Sequence, residues 1–288
     1  MKLCTFSHSG TTRIGAVVDD AIADLTAAAP ALPRDLVALL EAGPSALAQA
    51  KTAAANAPRI PLASVKLLAP ILRPPKLLAI GLNYADHVAE ANIETPKFPT
   101  VFTKLPTSVA GPFDDIHLPR VSSMLDYEGE LGFVIGRRCR HVPNDRAHEV
   151  IAGYLVHNDV SVRDWQMRVS QWTMGKAFDT HAPLGPWLTT ADEIDPHGLA
   201  LRTWVNGDLR QDSNTKNLIF DCAAIVEHIS TVCTLEPGDV IVTGTPGGVG
   251  AARKPMQLLK VGDVVRIEIE GLGAIENRVI AEPDTALI

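Results

Sequence analysis

The sequence contains no apolar run of the roughly 18 residues that a membrane-spanning helix needs. Its opening, MKLCTFSHSG, has no signal-like apolar core, so neither export nor membrane insertion is expected and the cytoplasm is the expected compartment. Cysteine is scarce and scattered: Cys4, Cys139, Cys222 and Cys233 show no C-x-x-C spacing, which fits free, mostly buried thiols and not a disulfide frame or a zinc site. Basic charge is also short, with a net charge of -7, a pI near 5.7 and no Lys/Arg cluster, so nucleic-acid binding is not expected. The glycine-rich VTGTPGGVG is not followed by Gly-Lys-Ser/Thr, and GLGAIE lacks the third glycine of a dinucleotide fingerprint. A G-x-S-x-G nucleophile elbow is missing too, as are internal repeats.

What is present is a chain of 288 residues, 46% hydrophobic, long enough to bury a large core as one main domain with a smaller one. KLCTFSH, RIGAVV and AIADL read as short strands broken at SGTT and DD, and residues 36–56 read as two short Ala/Leu-rich helices interrupted by Gly-Pro. Pro70, Pro74 and Pro75 mark a break, which gives a small N-terminal domain at 1–70 and a larger one at 71–288. Beyond it strands dominate: TVFTKL, ELGFVIG, GYLVHND, LRTWVNG, DVIVTGT and a terminal hairpin turning at GLG. NYADHVAEA, SVRDWQMRVSQ and LIFDCAAIVEHIS have helical periodicity, with Ser161 and Asp164 spaced as a capping box. The fold class is mixed α/β and β-rich.

The acids of DYEGELGFVIG raise the functional question. In a strand Glu128 and Glu130 point the same way, roughly 7 Å apart along the backbone. Two like charges on one face are tolerated in solvent on an edge strand, or they are held together by a cation. In DHVAE, His87 and Glu90 lie at i and i+3 of a helix and share a face, so the carboxylate can orient the imidazole.

Six stretches in order, GLNYADHVAEA, DYEGELGFVIG, HNDVSVRDWQ, GKAFDTHAPLGPW, VNGDLRQ and VTGTPGGVG, resemble the fumarylacetoacetate hydrolase family of carbon–carbon hydrolases, isomerases and decarboxylases. The likeness runs from about residue 70 to the C-terminus. It implies a β-roll of mixed strands with a small N-terminal α+β region, and a homodimer. It also implies that Glu128, Glu130 and Asp159 bind a divalent cation. Three carboxylates form a hard-oxygen donor set, which points to Mg²⁺, with Mn²⁺ or Ca²⁺ as substitutes, over zinc. Read without that likeness, Asp159 is an N-cap for the following helix.

The resemblance further places His87 and Glu90 as activators of a hydrolytic water, on a lid near residues 84–96. It makes Lys176 a cation beside a developing oxyanion and assigns Arg163, Gln166 and Thr245 to substrate binding; without it, Lys176 is a surface lysine paired with Asp179. Tyr127, Trp172 and Trp187 are expected in the core. The implied reaction is C–C hydrolysis of a 2,4-dioxo acid: water attacks the 4-oxo carbon, the C3–C4 bond breaks and a pyruvate-type enolate is protonated at C3. Isomerisation of a 2-hydroxydienoate and decarboxylation of oxaloacetate pass through related enolates and stand as alternatives. A noncatalytic metal- and ligand-binding protein on the same fold is the alternative of another class.

Overall fold

A computed structural model describes residues 1–91 and 93–284. Among them twelve strands form one sheet, whose path runs Arg59–Pro61, Ala21–Asp24, Thr11–Val18, Lys2–His8, Ala182–Thr190, Ile151–Asn158, Gly129–Ile135, Val240–Val242, Leu77–Gly81 and Thr100–Lys104. Two short strands join off this path, Lys66–Leu68 on Lys2–His8 and Val109–Ala110 on Ala182–Thr190. A second sheet has five strands in the order Asp208–Asn214, Ala200–Val205, Val264–Ile269, Gly273–Ala281 and Ile116–Leu118. The protein is thus mixed α/β and rich in sheet.

Alternation along the strand Gly129–Ile135 explains how the layers stack. Leu131, Phe133 and Ile135 enter a core shared with Leu201, Val265 and Ile267 of the five-stranded sheet and with Ile225 and Val226 of the helix Cys222–Val232. Val134, from the other face, enters a core shared with Leu36, Leu39 and Ala50 of the N-terminal helices Leu36–Glu41 and Gly43–Asn56. Every residue of this strand is buried. A strand covered on both faces carries a near-continuous apolar run, as GELGFVI nearly does. The solvated edge strand considered for the two glutamates is therefore not what forms: the strand is central.

The N-terminal strands read from sequence occur at Lys2–His8, Thr11–Val18 and Ala21–Asp24, and the two helices part at Ala42. Residues 1–70 share the large sheet with the rest of the chain through Lys2↔Thr189 and Leu3↔Leu188; their division from 71–288 stands as a proposal about sequence units. Among the described residues no helix is long and apolar enough to cross a membrane.

One local expectation is corrected. Ser161 and Val162 form a two-residue strand paired with Leu125 and Asp126, so the following helix shrinks to Arg163–Gln166 and has no side-chain cap. Ser161 Oγ bonds the Asp159 carbonyl instead of capping a helix with Asp164.

Candidate active site

Antiparallel register builds the acidic centre. Gly129 faces Asn158 and Glu130 faces His157, and the Asp159 amide continues the ladder to the Glu128 carbonyl at 2.8 Å. Cross-strand neighbours share a face, as do residues two apart, so Glu128, Glu130 and Asp159 converge. One carboxylate oxygen from each lies within 4.8 Å of the other two, and all three residues are buried. Asp159 is therefore no helix cap.

Electrostatics tests whether this cluster suits a cation. Burial disfavours the charged form of Glu130, and the neighbouring Asp159 and Glu128 carboxylates add to that, so its pKa is driven well above the usual glutamate range. A divalent cation relieves both causes, and an all-carboxylate set is the hard-oxygen type that Mg²⁺, Mn²⁺ and Ca²⁺ prefer. The residues fit such a group. Gly244 N–H donates to Glu130 Oε2 at 2.9 Å and fixes that carboxylate from the loop after Val240–Val242.

Three cations balance the acids. Lys176, at the end of the helix Thr173–Lys176, is 2% exposed and donates to Glu128 Oε2 at 2.6 Å and Asp159 Oδ2 at 2.8 Å. Burial opposes its charge, but the Asp159 and Glu128 carboxylates outweigh that, and its pKa is raised. Its partners are those carboxylates and not Asp179. Arg163 lies between Asp126 and Glu128: Nε and Nη2 donate to Asp126 Oδ2 at 2.9 and 2.7 Å, and Nη1 lies 2.7 Å from Glu128 Oε1. Gln166 Oε1 accepts from the same Nη1 at 3.0 Å. The third cation, Lys104, donates to Asp159 Oδ1 at 2.5 Å. Burial drives the Asp159 pKa up, yet Lys104 and Lys176 overcome it, and Asp159 stays well below the usual carboxylate range.

The helix Ala85–Ala91 brings His87 and Glu90 to the same cavity, with His87 Nδ1 3.5 Å from Glu90 Oε2. Leu82 before it takes a φ of 57°, in the left-handed region that suits few residues other than glycine. Asn83 holds that turn: its side chain donates to the Thr243 and Phe220 carbonyls and accepts from Phe220 N–H. Asp86 Oδ2 accepts from Ser213 Oγ at 2.6 Å, tying the helix to the five-stranded sheet. Asn92, within the expected lid segment, lies outside the described residues. Thr245 lines the cavity, but its hydroxyl already donates to Gly129 O and accepts from Gln211 Nε2.

All nine residues singled out from sequence line this one cavity of about 730 Å³. Trp172 is half-buried against the core, as expected, and lines the cavity as well; its ring packs so closely on Gly81 that a Cβ there would fall 2.2 Å from it. Tyr127 is buried as expected, and Trp187 is half-buried against a small satellite core. Sequence reasoning missed Lys104, Asp126 and Gln211. Asp126 heads the quoted acidic stretch and Gln211 stands inside VNGDLRQ, so both were within reach of a closer reading; Lys104 carried no signal beyond being a lysine in a strand.

The family model described as fumarylacetoacetate (FAA) hydrolase C-terminal matches residues 76–280, and the one described as Rv2993c-like, N-terminal, matches residues 1–70. The chain is 47% identical over 288 residues to the mitochondrial oxaloacetate tautomerase fahd2 of Xenopus laevis, covering 97% of this chain and 90% of that protein. Among solved structures, a fumarylacetoacetate hydrolase from psychrophilic Exiguobacterium antarcticum matches with a TM-score of 0.88 at 38% identity, over 98% of this chain and 100% of that one. A maleylpyruvate hydrolase from Sphingobium sp. SYK-6, in complex with manganese(II) ion and pyruvate, matches with a TM-score of 0.82 at 36% identity, over 98% and 100%.

Proposed function

The chain belongs to the fumarylacetoacetate hydrolase family, and on that premise we propose that it is a divalent-metal-dependent enzyme interconverting the keto and enol forms of oxaloacetate or a closely related 2-oxo dicarboxylic acid. The observation that carries the reading is Lys176 Nζ set between Glu128 Oε2 and Asp159 Oδ2 inside a buried acid triad, a centre suited to an enolate. The 47% identity to an oxaloacetate tautomerase favours this substrate over the 2,4-dioxo acid expected from sequence.

Glu128, Glu130 and Asp159 would hold the cation, with Mg²⁺ the proposed occupant. Bound there, it would supply Lewis acidity toward the substrate's 2-oxo group. Lys176 offers an ammonium N–H to the oxygen that becomes anionic as the C3 proton leaves. Arg163 and Gln166 face the cavity as carboxylate-binding groups, and Thr245 offers its remaining lone pair and its backbone. His87, with Nδ1 turned to Glu90, keeps Nε2 for taking a proton from C3 and returning one to the oxygen. No atom is gained or lost overall.

A second reading keeps the hydrolysis expected from sequence, and the His87–Glu90 pair favours it. The same imidazole can take a proton from water attacking a 4-oxo carbon, after which the C3–C4 electrons pass into a pyruvate-type enolate. Decarboxylation of oxaloacetate and isomerisation of a 2-hydroxydienoate share that enolate, and a homodimer is the proposed assembly. Convergence of His87, Glu90 and Lys176 on one cavity argues against a noncatalytic binder.

The test follows enol-oxaloacetate by its ultraviolet absorbance with Mg²⁺, Mn²⁺ or excess EDTA, beside Glu128→Gln, while pyruvate is assayed from oxaloacetate and from a short acylpyruvate. Metal-dependent loss of the enol without pyruvate, absent in the variant, is expected. Pyruvate from acylpyruvate with an unchanged enol rate overturns tautomerisation in favour of hydrolysis; pyruvate from oxaloacetate alone makes it a decarboxylase.

A further inference from the structure

Lys104 ends the strand Thr100–Lys104, and its side chain is wholly buried. An ammonium has three N–H donors. Each finds an oxygen: Asp159 Oδ1 at 2.5 Å, Val160 O at 3.4 Å and the main-chain carbonyl of Lys176. Among the described residues Asp159 is the one carboxylate that pairs with it. A buried ammonium is unfavourable unless such partners compensate it, and an apolar side chain at this place would need none. The contacts therefore say what the charge does there.

Asp159 is held from both ends. Oδ1 faces Lys104, while Oδ2 faces Lys176, which also reaches Glu128. The same Lys104 ammonium fixes the backbone from which the Lys176 side chain starts.

We propose that Lys104 is a positioning residue of the acid centre: by engaging Asp159 Oδ1 it turns Oδ2, the oxygen shared with Lys176, toward a divalent cation, and it sets the backbone of Lys176. The proposal rests on the metal-dependent reading above. Its consequence is electrostatic as well as geometric. Burial lowers the Lys104 pKa and the Asp159 carboxylate opposes that; as an ammonium beside a ligand Lys104 repels a second cation, and so holds metal affinity below what three buried carboxylates would otherwise give. Removing the charge then tightens metal binding while it loosens the alignment that turnover needs.

These opposite signs make the test. Metal-free protein is titrated with Mn²⁺, free ion being read by electron paramagnetic resonance, for the native sequence, Lys104→Met, Asp159→Asn and the double variant. Lys104→Met is expected to bind Mn²⁺ at least about tenfold more tightly. At saturating Mn²⁺ its kcat should fall by about a hundredfold with KM changed far less. In the Asp159→Asn background the Lys104 substitution should tighten Mn²⁺ binding by less, because the part of the effect that passes through Oδ1 is gone and the direct repulsion alone remains. Unchanged or weaker Mn²⁺ binding by Lys104→Met overturns the proposal, since a side chain that merely supports the fold can only loosen the site. If Lys104→Met does not fold, Lys104→Gln, which keeps a donor for the Lys176 carbonyl, takes its place with the same expectations. The binding readout needs no substrate, so native protein that binds Mn²⁺ but is inactive on oxaloacetate sinks the reaction and leaves this inference open to its own test. Native protein that binds no Mn²⁺ overturns both.

Discussion

Glu90 grips the backbone amide of Gly248 with both carboxylate oxygens, each 3.1 Å from the nitrogen. The bond joins the helix that carries His87 to the loop after Val240–Val242, across the cavity, while Glu90 Oε2 stays 3.5 Å from His87 Nδ1. One carboxylate thus stands beside the imidazole and holds its helix in place.

Gly248→Ala should break that arrangement. Gly248 has a φ of +102°, and an added Cβ would fall 2.2 Å from the Arg210 carbonyl oxygen, so the loop must move. We expect a cost of about 2 kcal/mol or more, seen as a melting point lower by roughly 4–8 °C, and a lower kcat because Glu90 loses its anchor. A variant with native melting point and native kcat would show that the clamp matters to neither.

As a proposed ligand, Glu130 would tie metal binding to pH. Its folded-state pKa is raised by burial and by Asp159 and Glu128, so without metal the folded protein holds this proton more tightly than the unfolded chain does. That contribution to stability is complete below the ordinary glutamate pKa and is lost as pH rises through the raised one. A cation must displace the same proton. Mn²⁺ affinity should therefore rise with pH across this window, and the melting-point gain from Mn²⁺ over EDTA should grow with it. Glu130→Gln should flatten the metal-free stability profile and abolish the gain. An Mn²⁺ affinity independent of pH through the window would contradict it.

Asp126 is fully buried and gathers a network: two bonds from Arg163, together with Gly250 N–H at 2.8 Å and Ala251 N–H at 2.9 Å. Asp126→Asn keeps the shape but removes the charge opposite Arg163 and one acceptor. Breaking a buried pair from one side costs about 3–5 kcal/mol. Ala251 and Ala252 line the cavity, so KM should rise along with the fall in melting point. Denaturant unfolding and steady-state kinetics read the two effects separately.

Much of this centre was legible in the sequence because its parts are local. Two glutamates two apart on a strand share a face, and His87 and Glu90 three apart on a helix share one; both patterns can be seen without knowing the fold. The third carboxylate was legible only through resemblance, since the register that sets Asp159 beside Glu128 pairs residues 31 positions apart. Lys104 was illegible for the same reason: its acceptors lie 55, 56 and 72 residues away. Ser161 shows the converse. Its spacing to Asp164 suits a helix start, but pairing with Asp126 draws it into a strand, and the tertiary contact overrides the local preference.

His87 separates the two proposed reactions. In tautomerisation a base takes the C3 proton and the product needs no water, so a water molecule in the emptied space, or buffer imidazole, can carry the proton at reduced rate. In hydrolysis the same residue must activate and direct a nucleophile, and a displaced water is a poor one without a base beside it. Glu90 is held by Gly248 and cannot easily take over. His87→Ala should therefore lose about 10²–10⁴-fold in acylpyruvate cleavage, the range of a removed general base. Its enol-oxaloacetate rate should fall less and recover in part with added imidazole. Lys176→Ala, by contrast, removes the donor proposed for both enolates, so it should depress the two rates together. Equal losses from His87→Ala in both assays, with no imidazole rescue, would remove His87 from proton transfer and leave it a residue that shapes the cavity.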